Sequence, residues 1–383
     1  MFVQDIHELV NTTTQEVLGE TGLVKEDFSN LVDVGNEIVD TDNVDNYVKK
    51  LVNRIGKTVF NERKYQGNVP SVLMDSWEYG SILQKVSADL PQAELNESWN
   101  LEDKREYNQD IFYQPKVSAK FFNNRITFEI PMSFTEKQVK ESFSSAEELN
   151  GFLSMLTTAI DNSMTVKLND LVMQTIDNMI GETLIGDIGL TETGNLKAGT
   201  GVRAINLKTV QGFEGTLEDA LQDKDFMRKA TYLINTYKTR LTTMSTVFNA
   251  GGKERFSPIE ELNLVLHSDF ASSADVFLLS DTQNKDLIEM KNYSVVPFWQ
   301  GSGETYSLDD TTSIDIVTSE GNEVSTTGIL GVMFDKYALG VTNLDRRVTT
   351  NYNAKAEFYT NYYKFDAGYF NDFNENFVVF YFA

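Results

Sequence analysis

The sequence has no cysteine and only two histidines, His7 and His267, among 383 residues. Disulfides, thiolate metal sites and cysteine nucleophiles are therefore excluded, and so is a histidine-rich metal site. No uninterrupted apolar run reaches the roughly 18 residues that cross a bilayer. The start, MFVQDIHELV, lacks the positive region and apolar segment of a secretory signal, so we expect a protein made and kept in a cytoplasm.

Basic residues are also scarce. The chain has 33 Lys and Arg against 57 Asp and Glu, a net charge of −24. Nucleic-acid binding needs a basic face that displaces counterions from phosphates, so this balance argues against a nucleic-acid-binding domain and against anionic membranes. The hydrophobic content of 41% suffices for sizeable cores, and the length predicts one large domain or two to three smaller ones.

The most regular pattern predicts a long helix over residues 146–180. Ser145 and Glu148 form an S-x-x-E capping box before it, and Gly181 is the expected terminator. At 1.5 Å per residue such a helix is roughly 50 Å long. Its flanks are mostly uncharged, which favours a helix lying against a sheet over a coiled coil. One face holds apolar residues at spacings of three and four: Leu149, Phe152, Leu153, Leu156, Ile160, Met164, Leu168, Leu171, Val172, Ile176 and Met179.

Other elements are less regular. Residues 88–131 contain two strand patterns, VSAKFF and NRITFEI, after a long polar excursion around Trp99. A second amphipathic helix is predicted from Leu217 to Phe248, with Met244 and Val247 continuing its apolar face. The aromatic C-terminal segment predicts two strands around a turn at Asp366–Ala367–Gly368. Its aromatic residues could form a core sheet or a surface that stacks on sugars, and their alternation with polar residues favours the core. The closing run FVVFYFA is continuously apolar, which predicts a strand buried on both sides.

No motif predicts catalysis or a cofactor. KAGTGVRAI has the G-x-G-x-x-A order of a dinucleotide-binding turn, but INLKTVQGF after it indicates a strand or loop where that motif needs a helix. We therefore interpret KAGTGVRAI as a glycine-rich loop. We interpret His267 as an ordinary residue at the end of a strand. Adjacent carboxylates arise from the abundance of acidic residues and indicate a solvated surface. The sequence therefore predicts no enzyme, no cofactor and no metal.

Arg346 and Arg347 stand out because the chain is so acidic. They could pair in solvent with local acids such as Asp345 or Asp335, which contributes little to stability. They could equally bridge to an acidic neighbouring subunit, because the planar guanidinium of arginine holds a carboxylate bidentately. Residue type alone leaves both interpretations open and favours local pairing.

The order of these parts resembles the major capsid proteins of tailed bacteriophages, which share the Hong Kong 97-type fold. The matching stretches are NYVKKLVNRIGKTV in a polar arm, AEELNGFLSMLTTAIDNSMTVKLNDLVMQTIDNMI in the long helix, VVPFWQGSGE, and GVMFDKYALGVTNLDRRVTTNYNAKAEFYTNYYKF. The resemblance implies an α+β protein with an N-terminal arm, an extended β-hairpin loop, a long spine helix, a peripheral sheet and a mixed α/β axial domain. It covers essentially the whole chain.

The resemblance also implies domain boundaries. The expected parts are an N-terminal arm (1–74), a first peripheral part (75–87), the extended loop (88–131), a peripheral domain with the spine helix (132–184), an axial domain (185–335), and return strands of the peripheral domain with a C-terminal strand (336–383). Residues 346 and 347 are expected where the long peripheral strand starts.

A structural function follows from the resemblance. It implies a head protein that self-assembles as hexamers and pentamers into an icosahedral shell around double-stranded DNA, without sequence-specific DNA binding. Implied partners are a separate scaffolding protein, a portal and decoration proteins, and the implied locations are the virion and, during assembly, the host bacterial cytoplasm. Candidate contacts between subunits are Tyr47, Arg54, Trp99, Lys104, Arg105, Arg346 and Arg347.

The sequence departs from the pattern of many relatives in two respects, and one alternative function is left open. Many relatives begin with a charged scaffolding segment that is cleaved off, and this sequence predicts none. We also expect no isopeptide crosslink at Lys104. The alternative from a different class is an extracellular carbohydrate-binding or surface-layer protein, which acidity and aromatic content would suit but which the missing export signal disfavours.

Overall fold

The structure is a computed structural model of the chain. It describes residues 11–15, 25, 34, 72–74, 83–91, 93–107, 112–135, 137, 146–191, 196–279, 292–300, 311–317, 321 and 323–383. The chain divides into two compact units. The first unit comprises Met1–Asn68, Arg125–Leu171 and Thr342–Gly368, and the second comprises Val69–Asn124, Val172–Val341 and Tyr369–Ala383. The described elements make it an α+β protein with several sheets.

The described strands are β1 Leu73–Met74, β2 Leu83–Ala88, β3 Val117–Phe122, β4 Arg125–Thr135, β5 Ala204–Asn206, β6 Leu262–His267, β7 Asn292–Val296, β8 Ile314–Val317, β9 Glu323–Thr326, β10 Ile329–Asp335, β11 Leu339–Asn353, β12 Phe358–Asn371 and β13 Phe377–Tyr381. The helices are α1 Ala146–Ile188, α2 Leu207–Gln211, α3 Leu217–Gln222, α4 Lys224–Leu241 and α5 Ser268–Leu279. The described strands form four sheets, with the orders β1-β11-β12-β4, β5-β13-β10-β6-β7, β2-β3 and β8-β9.

The first unit is organised by the long antiparallel pairing of β12 with β4. Successive side chains of a strand point to opposite faces, so aromatic and charged residues separate. On one face the rings of Phe134 and Tyr359 stack with centroids 5.8 Å apart. On the other face Lys364 pairs with Glu129 at 3.1 Å. The sheet therefore has one aromatic face and one polar face.

The predicted turn at residues 366–368 is wrong. β12 runs through these residues, which pair in register with Thr127, Ile126 and Arg125 of β4. Aspartate and glycine favour turns, but here Ala367 is fully buried and the pairing with β4 fixes the extended conformation. The turn instead follows Asn353, whose side-chain oxygen accepts the backbone N–H of Lys355 at 3.1 Å.

The long helix is confirmed, but it does not end at Gly181. α1 continues to Ile188, and Gly189 with φ of 80° follows it. Glycine inside a helix costs about 1 kcal/mol relative to alanine. Ile180 and Leu184 are fully buried on either side of Gly181, and this packing outweighs that cost.

The second unit is built on the five-stranded sheet. β13 lies between β10, to which it is antiparallel, and β5, to which it is parallel. β6 pairs with β10 antiparallel and with β7 parallel. Every residue of β6, β10 and β13 is buried. This confirms the prediction that the apolar run FVVFYFA is a strand buried on both sides.

The predicted helix from Leu217 to Phe248 is two helices, α3 and α4. The side chain of Asp223 accepts the backbone N–H of Phe226 at 2.6 Å and caps α4. α4 ends at Leu241, and the residues expected to continue its apolar face, Met244 and Val247, are exposed. Within α4, Tyr237 packs edge-on against Phe380 of the sheet, with ring centroids 5.6 Å apart.

The glycine-rich segment is a loop, as predicted, but part of the sequence after it is helical. β5 follows the loop, and α2 comes directly after β5. Asn206 caps α2 by accepting the backbone N–H groups of Lys208 and Thr209, and this cap was missed from the sequence. With a strand directly after the glycines, the segment lacks the context of a dinucleotide-binding turn.

Substitution at Gly328 tests how the end of β13 is held. Gly328 has φ of 78°, and an added Cβ would overlap the backbone carbonyl of Phe382. We expect Gly328→Ala to lower the free energy of unfolding by more than about 3 kcal/mol, because left-handed strain and a backbone clash act together. Urea denaturation measures this.

Gly252→Ala is the matched control. Gly252 has φ of 61° and open space around its Cβ position, so only the strain of about 1 kcal/mol is expected. Equal losses in the two variants would contradict the close approach at Phe382.

Candidate subunit-contact surfaces

β2 and β3 form a two-stranded ribbon in the second unit, with Leu83 opposite Phe122 and Ala88 opposite Val117. Directly opposed residues share a face, and successive pairs alternate between faces. We call the face that carries Leu83 and Phe122 the inner face and the opposite one the outer face.

The outer face is exposed and, apart from Gln84 opposite Phe121, apolar. It contains Val86, Phe121 and Val117, which are 63%, 62% and 61% accessible to solvent. Ala88 and Ala119 lie between them and are exposed too. A contiguous apolar patch on an otherwise very acidic chain is typical of a surface that binds another protein. This face of the ribbon can dock on a partner without any rearrangement of the inner face.

The inner face is held by the second unit. Phe122 is buried, and the centroid of its ring lies 5.1 Å from the ring centroid of Phe370. One step further along, Lys85 and Lys120 lie opposite each other, and both contact Asp372, at 2.6 Å and 3.0 Å. The aromatic pair and the shared carboxylate hold the inner face, and ion pairs of Lys85 with Glu375 at 3.0 Å and of Asp89 with Lys253 at 2.9 Å add to them.

The tip of the ribbon contains three of the predicted contact residues. A short 3-10 turn, Glu97–Trp99, leaves Trp99 93% exposed. Lys104 has φ of 67°, in the left-handed region, and the guanidinium of Arg105 lies 5.4 Å from the ring centroid of Tyr107. The backbone N–H of Glu102 donates to the hydroxyl of Tyr107 at 3.0 Å. Trp99, Lys104 and Arg105 are all exposed.

Arg346 and Arg347 lie inside β11, so the expectation that they begin the long strand is wrong. The strand starts at Leu339, because Leu339 and Val341 are buried and extend the pattern before the arginines. Arg347 donates to both carboxylate oxygens of Asp366, at 2.7 Å and 3.3 Å, and to Asp345 at 3.3 Å. Arg346 is half-buried. The guanidinium of Arg347 thus makes the bidentate pair that suits arginine, within its own chain.

Asp366 is held ionised by these contacts. The hydrogen bond from Arg347 lowers its pKa most, partial burial opposes this, and a hydrogen bond from Thr127 at 2.7 Å lowers the pKa further. The pKa of Asp366 therefore lies below that of an ordinary aspartate.

The remaining sequence predictions concern residues outside the ribbon and β11. Tyr47 and Arg54 lie outside the described residues. His267 ends β6 and is buried, as predicted. Among the residues that the structure describes, no three acidic or histidine side chains are grouped to hold a metal ion, and no helix is long and apolar enough to span a membrane. Tyr359, Tyr363 and Phe365 are buried, so the idea that these aromatics stack on sugars is wrong.

The residues that hold the ribbon were not predicted from the sequence. Each strand, LQKVSA and VSAKFF, carries one lysine among apolar and small residues. Such an isolated lysine in a strand is a signal for a buried or shared counter-ion, and it could have been noticed. The identity of that counter-ion could not, because Asp372 is more than 250 residues away from either lysine.

The pH dependence of the free energy of unfolding tests the pairing of Asp366 with Arg347. The folded pKa of Asp366 lies below the unfolded value, so its stabilising effect is complete above the ordinary aspartate pKa and is lost as pH falls through the folded pKa. We expect Asp366→Asn to lower the urea midpoint at neutral pH, and the difference from the wild type to vanish in acid. A difference that persists or grows in acid would contradict the pairing with Arg347.

Three comparisons place the chain among known proteins. Residues 10–381 match the family model for the Phi29-like phage major capsid protein. The major capsid protein of Bacillus phage GA-1 is 24% identical over 140 residues, which is 36% of this chain and 28% of that relative. The capsid structure of Staphylococcus phage Andhra aligns with a TM-score of 0.49 and 12% identity, over 84% of this chain and 87% of that one. The capsid structure of cyanophage P-SCSP1u gives 0.44 and 9%, over 85% and 92%.

The two structural similarities are weak in TM-score and in identity, and the GA-1 match covers under a third of that relative. The family model, in contrast, extends over nearly the whole length, from the N-terminal segment to the end of β13. On that match, the chain belongs to the family of Phi29-like phage major capsid proteins.

Proposed function

We propose that this chain is a phage head protein that self-assembles as hexamers and pentamers into an icosahedral shell enclosing double-stranded DNA. The observation that carries the proposal is the ribbon, whose outer face and tip expose apolar side chains. A second copy of the chain is the occupant, because a shell of one repeated protein buries the same patch at each contact. Family membership supports the same function.

We further propose the Hong Kong 97-type arrangement for these parts. The extended loop (88–131) contains β3, the tip and the first part of β4, and the spine helix is α1. The peripheral sheet is the sheet of β11, β12 and β4. The five-stranded sheet, with α2 to α5, forms the axial domain. We place β13 in this axial domain as well, because β13 lies between β5 and β10.

The tip carries side-chain types that are common in contacts between copies. Lys104 and Arg105 are exposed cations that can pair individually with carboxylates of a second copy, although Glu102, Asp103 and Glu106 beside them make the tip as a whole acidic. Trp99 adds a large apolar side chain at the same place, and tryptophan and arginine dominate the binding energy of many interfaces. Arg346, Arg347, Tyr47 and Arg54 are proposed as further contacts.

The remaining parts of the proposal concern partners. We propose a separate scaffolding protein, a portal and decoration proteins, assembly in the host cytoplasm, and a final location in the virion. The charge of −24 suits a shell that encloses DNA without binding it tightly. A structural role without enzymatic activity agrees with the family.

Assembly is tested by negative-stain electron microscopy of the heavy fraction after cytoplasmic expression, with and without a candidate scaffolding protein. We expect closed shells, or hexameric and pentameric rings. In the same assay Trp99→Ser should raise the concentration needed for assembly by at least about tenfold, since losing an aromatic anchor costs about 2 kcal/mol or more.

Val276→Ser is the matched control for Trp99→Ser. Val276 is an exposed apolar residue on α5, away from the ribbon sequence, and its loss should leave the assembly concentration unchanged. A soluble monomer under every condition would reject the shell, whereas normal shells from Trp99→Ser would reject the tip as a major contact.

The arginine pair is tested separately. We expect Arg346→Ala/Arg347→Ala to impair assembly more than folding, because Arg347 is exposed and the loss of its pairs with Asp345 and Asp366 should lower monomer stability only slightly. Urea denaturation of the unassembled chain and particle yield measure the two effects. Normal particles from the double variant would contradict a role between subunits.

A further inference from the structure

Asp372 lies in the short link between β12 and β13 and is only 3% exposed. The second unit fixes this link through its backbone. The N–H of Asp372 donates to the carbonyl of Ala338 at 2.7 Å, and the N–H of Glu375 donates to the carbonyl of Asp372 at 3.1 Å. The N–H of Asn374 donates to Oδ1 of Asp372 at 3.2 Å. The carboxylate therefore has a fixed position.

The ribbon supplies one lysine from each strand to this carboxylate. Lys85 of β2 reaches Oδ2 at 2.6 Å, and Lys120 of β3 reaches Oδ1 at 3.0 Å. The two lysines are direct partners in the β2–β3 register. Each strand is thus tied separately to one buried group, so the ribbon can neither rotate about its own axis nor swing without breaking a contact. We call these three residues the clamp.

The surroundings of the clamp are charged and ordered. Lys85 also donates to Glu375 at 3.0 Å and to the carbonyl of Tyr337 at 3.0 Å. Arg255 approaches Glu375 at 3.5 Å. Burial would raise the pKa of Asp372, but the hydrogen bonds and charges of both lysines outweigh burial and hold it below the ordinary value. Asp372 is ionised at neutral pH.

Without the carboxylate the clamp would become repulsive. Like charges directly opposite each other on paired strands destabilise the pairing, and here only Asp372 lies between the two ammonium groups by contacting both. Removing Asp372 would leave the two lysines, which are 22% and 41% exposed, opposite each other without the carboxylate between them. Lys85 would keep Glu375 at 3.0 Å, whereas Lys120 would lose its ion pair and move towards water, and β3 would move with it.

A small movement at the clamp is amplified at the tip. Lys85 and Trp99 are separated by about fourteen residues, so at roughly 3.3 Å per residue the tip lies at most about 46 Å beyond the clamp. A rotation of about 10° at the clamp then displaces an extended tip by up to roughly 8 Å, more than the width of a side-chain contact.

We propose that Asp372 is the positioning residue that sets the direction of the ribbon and thereby selects which contacts its outer face and tip make with a second copy. This inference rests on the shell function proposed above. The carboxylate itself makes no contact between copies and acts through Lys85 and Lys120.

The test measures ribbon direction in the unassembled chain by pulsed electron paramagnetic resonance. The chain has no cysteine, so spin labels can be attached at Leu95→Cys in the ribbon and Val276→Cys on α5, both highly exposed. We expect one narrow distance distribution in the otherwise unchanged chain and a distribution at least about twice as wide with Asp372→Asn. Adding Lys120→Met to Asp372→Asn should narrow it again, because the repulsion is removed.

Asp89→Asn is the matched control. Asp89 pairs with Lys253 at 2.9 Å on the same inner face, but this pair is partly exposed, and its loss should leave the distribution unchanged. If Asp372→Asn does not fold by circular dichroism, Lys85→Met/Lys120→Met removes the clamp from the ribbon side and leaves the link to β13 in place.

The shape of the assembled particles is the second measurement. Asp372→Asn should yield open sheets or irregular particles where the unchanged chain yields closed shells. An unaltered distance distribution in Asp372→Asn would overturn the clamp, whether or not the chain assembles. A widened distribution with normal shells would overturn its role in selecting contacts. Failure of the unchanged chain to assemble would reject the shell function alone, since the distances still test the clamp.

Discussion

The second unit depends on the pairing of β13 with its two neighbours. β13 forms an antiparallel ladder with β10 and a parallel one with β5, and all its residues are buried. The side chains of Val378 and Phe380 enter the same core as α4, where Tyr237 meets Phe380. A strand buried on both faces satisfies its backbone only through such ladders. Without β13, β5 would lose its partner and the core its central aromatic residues.

β12 and the link at Asp372 come directly before β13 and have structural roles of their own. β12 contributes to the sheet of the first unit, the link at Asp372 holds the ribbon, and β13 fills the five-stranded sheet. Residues 358–381 therefore contribute to the sheet of the first unit, to the inner face of the ribbon and to the five-stranded sheet. The ribbon has no core of its own, so its inner face uses the charge of Asp372 and the ring of Phe370, while its outer face stays available. The inner face of the ribbon therefore holds the two strands in position, and the outer face of the same strands is available for binding.

Much of the fold was predictable where one pattern dominated. The apolar spacing of α1 and the continuous apolar run of β13 gave both elements, because burial sets those patterns directly. The errors arose where local propensity and tertiary pairing disagree. Gly181 did not end α1, and Asp366 to Gly368 did not form a turn, since buried neighbours and the ladder with β4 outweigh the preference of these residue types. Among the contact residues, Trp99, Lys104 and Arg105 were recognisable by type, whereas the lysines that hold the ribbon needed a partner distant in sequence.

The position of Asp372 in the chain also fixes an order of events during translation. Synthesis proceeds from the N-terminus, and domains form as their segments emerge. The ribbon strands leave the ribosome long before Asp372, so Lys85 and Lys120 cannot contact that carboxylate during most of synthesis. A chain that ends before residue 372 lacks the carboxylate altogether. If Asp372 sets the direction of the ribbon as proposed, only a chain synthesised past residue 372 can hold its ribbon in that direction.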